Sequence, residues 1–223
     1  AAPDVPSARD GQYEGEPTLI RIVAGEYQNR RLDVDPNVRP TTERAREALF
    51  SILGDRVRGA RVLDAAAGSG ALGFEALSRG ASSAVFVEAD RRVAKTLESN
   101  LALVGAGGRA VVVVRTVAAY LRTDRPSGFD LVFFDPPWAD PVANELEGLW
   151  SAVSPGGTFV LERGSGGGDP WPGPPRPPMT RRYGATTLYL YARPATVETE
   201  PAGPADVPAG EAGSWIDPDP SGK

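Results

Sequence analysis

The 223-residue chain has no cysteine and no histidine. Without cysteine there is no disulfide, thiolate metal site or thiol nucleophile. Without histidine the commonest metal ligand is missing, and so is the imidazole of the usual nucleophilic triads. Any general acid or base must be a carboxylate, a lysine or a tyrosine, or the reaction needs none. Long apolar runs are also lacking: none approaches a membrane span, and the start shows no signal-peptide pattern. A soluble, cytoplasmic protein with no metal is the expectation. Methionine occurs once, at Met179, and the chain opens on Ala1-Ala2, so a processed or truncated start is expected.

Negative charge is abundant only at the ends. The whole chain carries a net charge of -5. Residues 1–18 set Arg9 against Asp4, Asp10, Glu14 and Glu16, a net of -3. Residues 194–223 set Lys223 against six acids, a net of -5, which leaves +3 for residues 19–193. Both ends are polar and aperiodic and read as disordered tails at 1–18 and 194–223. Trp215-Ile216, inside the second tail, is a candidate docking motif. The body between them is mildly basic, with Arg as nearly every cation. That suits a polyanionic partner or an ordinary surface equally.

What is present is a regular alternation. Ile20–Val23 and Arg31–Val34 are β-like runs that read as a hairpin around Gly25. Arg39-Pro40-Thr41-Thr42 follows, with Thr41 or Thr42 as the N-cap of a helix carrying Ala45, Leu49, Ile52 and Leu53. Strands are then expected at 61–64, 83–88, 110–114, 131–134 and 158–162, with helices at 71–79, 91–104, 117–121 and 144–153. Such alternation implies parallel strands joined by right-handed crossovers. Residues 164–178 are a Gly/Pro-rich connector, and 180–183 with 186–191 form a closing hairpin around Gly184-Ala185. The expected division is an N-terminal hairpin and helix over 19–58 and a catalytic domain over 59–193.

Leu131 to Phe134 is an unbroken apolar run, read as a strand buried on both faces. It ends on Asp135-Pro136-Pro137-Trp138. In open α/β sheets, ligands sit beyond the carboxyl ends of the strands. A carboxylate, a stiffened carbonyl and a flat ring at that place suit a planar group bearing an NH2. The plain alternative is a turn with a capping Asp and a packed Trp.

Gly68-Ser69-Gly70-Ala71-Leu72-Gly73 matches G-x-G-x-x-G between a strand and a helix, a pattern shared by several nucleotide cofactors. Here Asp64 closes the strand, and three alanines separate it from Gly68. A longer turn headed by a carboxylate suits a cofactor with an ammonium group and no phosphate, such as S-adenosylmethionine; the glycines let backbone approach it. Glu88, followed by Ala89, ends the next strand and is placed to accept ribose hydroxyls. Arg115-Thr116-Val117 ends the third, where backbone meets the adenine edge and Val117 covers its face. The bland readings are a turn cap for Asp64 and a solvated strand-end acid for Glu88.

These residues resemble the RsmD family, bacterial 16S rRNA (guanine-966-N2) methyltransferases. The likeness is carried by Leu63 to Ala81, Arg21-Ile22-Val23-Ala24-Gly25, Arg39-Pro40-Thr41-Thr42 leading into Arg44, Glu47 and Phe50, Phe134-Asp135-Pro136-Pro137, and Tyr183-Gly184. It covers about residues 19–193. It implies a class I methyltransferase fold: a Rossmann-like α/β sheet of seven mostly parallel strands, the last antiparallel. It also implies S-adenosylmethionine as cofactor and 16S rRNA or the small ribosomal subunit as partner, with the enzyme acting as a monomer. Three departures stand out. Ala65-Ala66 replaces bulkier residues, Trp138 stands where Phe or Tyr is commoner, and Val117 stands where many relatives are polar near the adenine.

On this reading Asp135 and the Pro136 carbonyl accept the two N–H bonds of guanine N2, Pro137 stiffens the edge, and Trp138 stacks on an extruded base. Arg21, Arg30, Arg31 and Arg39 meet RNA phosphates, or form the solvated face of an edge ribbon; Arg39 alternatively faces the methionine carboxylate. Three rivals stay open. One is an amino methyltransferase for another RNA, DNA adenine or a protein amide. The others are a non-catalytic binding module and a nicotinamide-dependent enzyme.

Overall fold

The computed structural model describes residues 18–38, 41–138, 142–166, 171, 173–174 and 177–195. Expectations placed on Arg39-Pro40 and Trp215-Ile216 lie outside the described residues, as do the two tails apart from Thr18, Pro194 and Ala195. The elements run β1 (Thr18–Arg21), β2 (Arg31–Val34), α1 (Glu43–Leu53), a 3-10 turn (Gly54–Val57), β3 (Arg61–Ala65), α2 (Ala71–Ser78), β4 (Ser83–Glu88), α3 (Arg91–Val104), β5 (Ala110–Val114), α4 (Val117–Asp124), β6 (Phe129–Phe134), α5 (Ala143–Ala152), β7 (Val153–Gly164), β8 (Met179–Tyr183) and β9 (Thr186–Ala192).

Seven strands form one sheet in the order β5-β4-β3-β6-β7-β9-β8. Strands β3 to β7 are parallel, and β9 runs antiparallel between β7 and β8. This is the class I methyltransferase sheet, with its final strand reversed. The apolar run in β6 shows why the layers stack as they do. Leu131 and Phe133 join the core against α1, α2 and α3, while Val132 and Phe134 join the core against α4 and α5. A strand apolar at every position is satisfied only with helices on both faces.

Local chemistry sets the helix ends. Thr42 caps α1 by accepting from the Ala45 N–H at 3.3 Å, Asp90 caps α3, and Thr116 caps α4. Strand β7 starts at Val153, five residues before the expected Thr158. Ser154-Pro155-Gly156-Gly157 reads as a turn, yet Val153 pairs with Phe129 and the Gly156 N–H reaches the Arg193 carbonyl at 3.0 Å. The expected connector after β7 carries an anchor: Trp171 packs on Trp150, Phe159 and Tyr191.

Strands β1 and β2 pair as the expected hairpin, with Arg21 opposite Arg31. The first strand ends at Arg21 rather than Val23. The Val23 and Ala24 N–H groups leave the ladder to donate to the buried Glu75 carboxylate of α2, at 2.9 and 3.1 Å. Ser78 accepts from Tyr27 N–H at 2.9 Å and donates to the Ala24 carbonyl. A Cβ at Gly25 would fall 1.9 Å from the Ser78 carbonyl oxygen, so only glycine permits this seat. Asn100 of α3 exchanges two bonds with the Asp33 backbone. Arg46 of α1 is buried and donates to the Arg21 carbonyl at 2.7 Å. Burial lowers the pKa of its guanidinium, and the Glu75 carboxylate is the largest of the charges opposing that shift.

Glu75 therefore holds the hairpin to the sheet domain with two backbone donors and Arg79 at 2.8 Å. Removing it strands those donors and leaves Arg46 without its main counter-charge. Glu75→Ala is expected to lower unfolding stability by about 3 kcal/mol, read as an earlier denaturant midpoint. A midpoint unchanged from wild type would show that the hairpin is held otherwise.

Candidate active site

The carboxyl ends of the parallel strands open onto a cavity of about 720 Å³. That is room for a nucleoside-sized ligand and a second planar group. Four adjacent strands deliver an acid to this edge: Glu88 from β4, Asp64 from β3, Asp135 just beyond β6, and Glu162 from β7.

Asp64 is buried, and its Oδ2 accepts the Gly73 N–H at 2.8 Å. It thus ties down the first turn of α2 while bordering the cavity. Burial pushes its carboxyl up to about 8; the Gly73 bond opposes the shift, and the charges of Asp135 and Glu88 add to it. A cation placed here would relieve that cost. Glu88 is half-buried and structured rather than a solvated acid: it accepts Gly68 N–H at 2.9 Å and Asp90 N–H at 2.8 Å. Its two oxygens brace the glycine turn and the start of α3, and they still face the cavity.

The three glycines divide their work. Gly68 borders the cavity at φ +51°, where a Cβ would press on Val38. Gly70 is not part of the cavity wall, against expectation. It has φ +71°, and a Cβ there would lie 2.6 Å from Leu97 and 2.8 Å from Phe74. A Cβ at Gly73 would lie 2.3 Å from Phe86. Gly70 and Gly73 therefore serve close packing of α2 against α3 and β4, and only Gly68 brings backbone to the ligand space. Ala89 and Val117 border the cavity as expected.

Asp135, Pro136, Pro137 and Trp138 all line the cavity. Arg163 fixes the far side of this loop by donating to the Pro137 carbonyl at 3.2 Å and the Trp138 carbonyl at 2.6 Å. The Trp138 ring lies on Gly164, where a Cβ would meet it at 2.8 Å. The ring is 37% exposed, unlike the apolar core, and so keeps surface for a partner.

Three wall residues went unread in the sequence. Thr41 donates from one hydroxyl towards Asp135 Oδ2 at 3.1 Å and Glu162 Oε2 at 3.2 Å. Thr186 of β9 donates to Glu162 Oε1 at 3.4 Å, and Glu162 is only 3% exposed. The available signal was positional, since Glu162 follows the apolar run Phe159 to Leu161 much as Asp135 follows Leu131 to Phe134. Thr41 was weighed only as a helix cap; with Thr42 filling that place, its hydroxyl faces the site.

Of the arginines expected to meet RNA, Arg21, Arg30 and Arg31 do not border the cavity. Arg21 pairs with Glu43 and bonds Asn29, and Arg30 donates to the Leu103 carbonyl at 3.0 Å. Arg31 is exposed on β2. Arg39 lies outside the described residues. No group of acids among the described residues is placed to hold a metal ion, and no helix there is long and apolar enough to cross a membrane.

The donor set fits S-adenosylmethionine. A buried acid whose charge is costly suits an ammonium, an acceptor at the end of the next strand suits sugar hydroxyls, and Val117 offers an apolar surface suited to a ring. Comparison with known proteins agrees. The family model described as Conserved hypothetical protein 95 matches residues 20–192. The chain is 44% identical over 132 residues to the ribosomal RNA small subunit methyltransferase D of Escherichia coli K12, across 58% of this chain and 66% of that relative. The matched segment is thus just under two thirds of that relative's length. The protein of the same name from Haemophilus influenzae is 40% identical over 134 residues, across 58% of this chain and 69% of that one. The solved structure of yhhF from Escherichia coli superposes with a TM-score of 0.70 at 34% identity, covering 80% of this chain and 100% of that one. The chain therefore belongs to the RsmD family, whose model carries the description Conserved hypothetical protein 95.

Proposed function

We propose that the protein transfers a methyl group from S-adenosylmethionine to the exocyclic N2 of a guanine in small-subunit (16S) rRNA, acting as a monomer in the cytoplasm during ribosome maturation. The observation that carries this reading is the shared cavity: Glu88, Asp64 and the Asp135-Pro136-Pro137-Trp138 edge border one space from neighbouring strand ends. The names of the Escherichia coli and Haemophilus influenzae relatives support the rRNA substrate. The segment over 19–58 is the RNA-facing part, with exposed Arg31 beside Arg21 and the following Arg39 meeting phosphates. The body over 59–193 carries the chemistry.

Each residue has a distinct task. Asp64 meets the ammonium of the cofactor. Glu88, with Ala89 beside it, meets the ribose hydroxyls, and Val117 covers the adenine face. The N2 lone pair of guanine is delocalised into the ring, so the nitrogen is a weak nucleophile until it is oriented and made more pyramidal. Asp135 and the Pro136 carbonyl accept its two N–H bonds, and the paired prolines keep these acceptors in place before the base arrives. Arg163 stiffens the same loop from outside by holding the next two carbonyls. Trp138 stacks on the extruded base, a contact that contributes roughly 1–3 kcal/mol. When bound, S-adenosylmethionine supplies the methyl carbon, whose bond to sulfur breaks as its bond to N2 forms, leaving a neutral thioether. The surplus proton on N2 leaves through the Asp135 carboxylate to water. Alignment supplies much of the rate, which suits a chain with no histidine.

Unmodified small subunits incubated with labelled S-adenosylmethionine should acquire label on N2 of one guanine. Asp135→Ala should bind S-adenosylhomocysteine normally yet transfer the label about a hundredfold more slowly. Label on duplex DNA or on protein instead would overturn the substrate, and a fully active variant would overturn the role of Asp135.

The Asp64 carboxyl carries its proton below about pH 8 in the ligand-free protein. That proton must leave before an ammonium can pair with the group, so binding releases it. Affinity for S-adenosylhomocysteine, measured by calorimetry, should rise with pH up to about 8 and level off above. Asp64→Asn should bind weakly with no such rise. A wild-type affinity independent of pH across this window would remove Asp64 from the cofactor's ammonium.

A further inference from the structure

On the guanine-N2 reading above, we infer that Glu162 is the residue that selects guanine, by accepting the N1–H of the base whose amino group lies at Asp135. Glu162 lies in β7, the strand beside β6, and Leu161 pairs with Phe134, so Glu162 and Asp135 follow paired residues on neighbouring strands. Both border the cavity. Their oxygens lie 3.2 and 3.1 Å from the single Thr41 hydroxyl oxygen. One hydroxyl in reach of both carboxylates puts the two acceptors on the same part of the wall, where one base edge can address both. Thr41 has one hydrogen to give, so it serves one of these carboxylates at a time. Thr186 steers the other oxygen of Glu162 at 3.4 Å.

The wall around this place accepts hydrogen bonds. Asp135 and Glu162 are joined by Glu145, whose Oε2 is buried with no partner in the protein. A ligand edge rich in donors is the complement. Guanine offers N1–H next to N2–H. Adenine and cytosine set a bare ring nitrogen beside their amino groups, which would turn a lone pair towards a carboxylate. Uracil has a ring N–H but no amino group. A site built around an N–H rejects analogues that lack it far more strongly than an apolar pocket rejects a size change.

2-Aminopurine separates this role from a structural one, because it keeps the 2-amino group and has no hydrogen on N1. Small subunits reconstituted with guanine or with 2-aminopurine at the methylated position are the probes. Wild type should prefer guanine by about a hundredfold or more in kcat/KM. In Glu162→Gln the amide can turn its NH2 to the bare N1, so the preference should shrink to about tenfold or less, with S-adenosylhomocysteine affinity unchanged. Glu162→Asp, which withdraws the charge by one methylene, should also lose preference. A preference unchanged in both variants overturns the inference. So does failure of both to bind S-adenosylhomocysteine, which would make Glu162 a strut for Thr41 and Thr186. Equal use of both bases by wild type dismisses the role of Glu162 while the function stands. Absence of any guanine methylation by wild type overturns the function itself.

Discussion

Four carboxylates from four neighbouring strands must be accommodated around one cavity, two of them, Asp64 and Glu162, buried. Most of the local structure answers that constraint. Backbone N–H groups hold Asp64 and Glu88, and hydroxyls of Thr41 and Thr186 hold Asp135 and Glu162. Parallel strands in register bring these acids to one edge of the sheet: Asp135 and Glu162 follow the paired Phe134 and Leu161, and Asp64 pairs with Phe86 and Phe133, two residues below Glu88 and Asp135. Such a wall is costly without a ligand: burial above all, and then the charges of Asp135 and Glu88, raise the pKa of the Asp64 carboxyl. The fold therefore stores its affinity for a cation and for N–H donors in groups it has already desolvated.

The N-terminal hairpin is packed on the sheet domain, and residues that follow it, Asn37, Val38, Thr41 and Thr42, line the cavity. It is seated on Glu75, Ser78 and Asn100, and the chain leaving it carries Val38 over Gly68 and Thr41 between Asp135 and Glu162. The Thr41 hydroxyl thus sits beside Asp135 only a few residues after the hairpin that carries the exposed Arg31.

Much of this was legible in the residues. The alternation of apolar runs located the strands and helices because a doubly covered sheet demands continuous apolar strands, as in Leu131 to Phe134. The acids Asp64, Glu88 and Asp135 stood out because each closes an apolar run, with a glycine turn after Asp64 and paired prolines after Asp135. Glu162 did not, since Arg163-Gly164 looks like the start of a connector, and nothing local reveals that β7 lies beside β6. The tasks of the glycines were also hidden. Gly70 and Gly73 match a ligand-binding pattern, yet they are glycine because Leu97, Phe74 and Phe86 leave no room for a Cβ. Arg21 and Arg30 read as solvated cations, and their partners, Glu43 and the Leu103 carbonyl, come from elements distant in sequence. Long-range pairing decided each of these cases, and periodicity carries no information about it.

The account stands on the order in which ligand parts lie along the strand ends. A crystal structure with S-adenosylhomocysteine tests it most directly. The ribose should lie at Glu88, the adenine against Val117, the ammonium at Asp64, and the sulfur should point towards Asp135 and Pro136. A nucleoside bound instead between Trp138 and Glu162, with the Glu88 end empty, would contradict the assignment of every acid in the row.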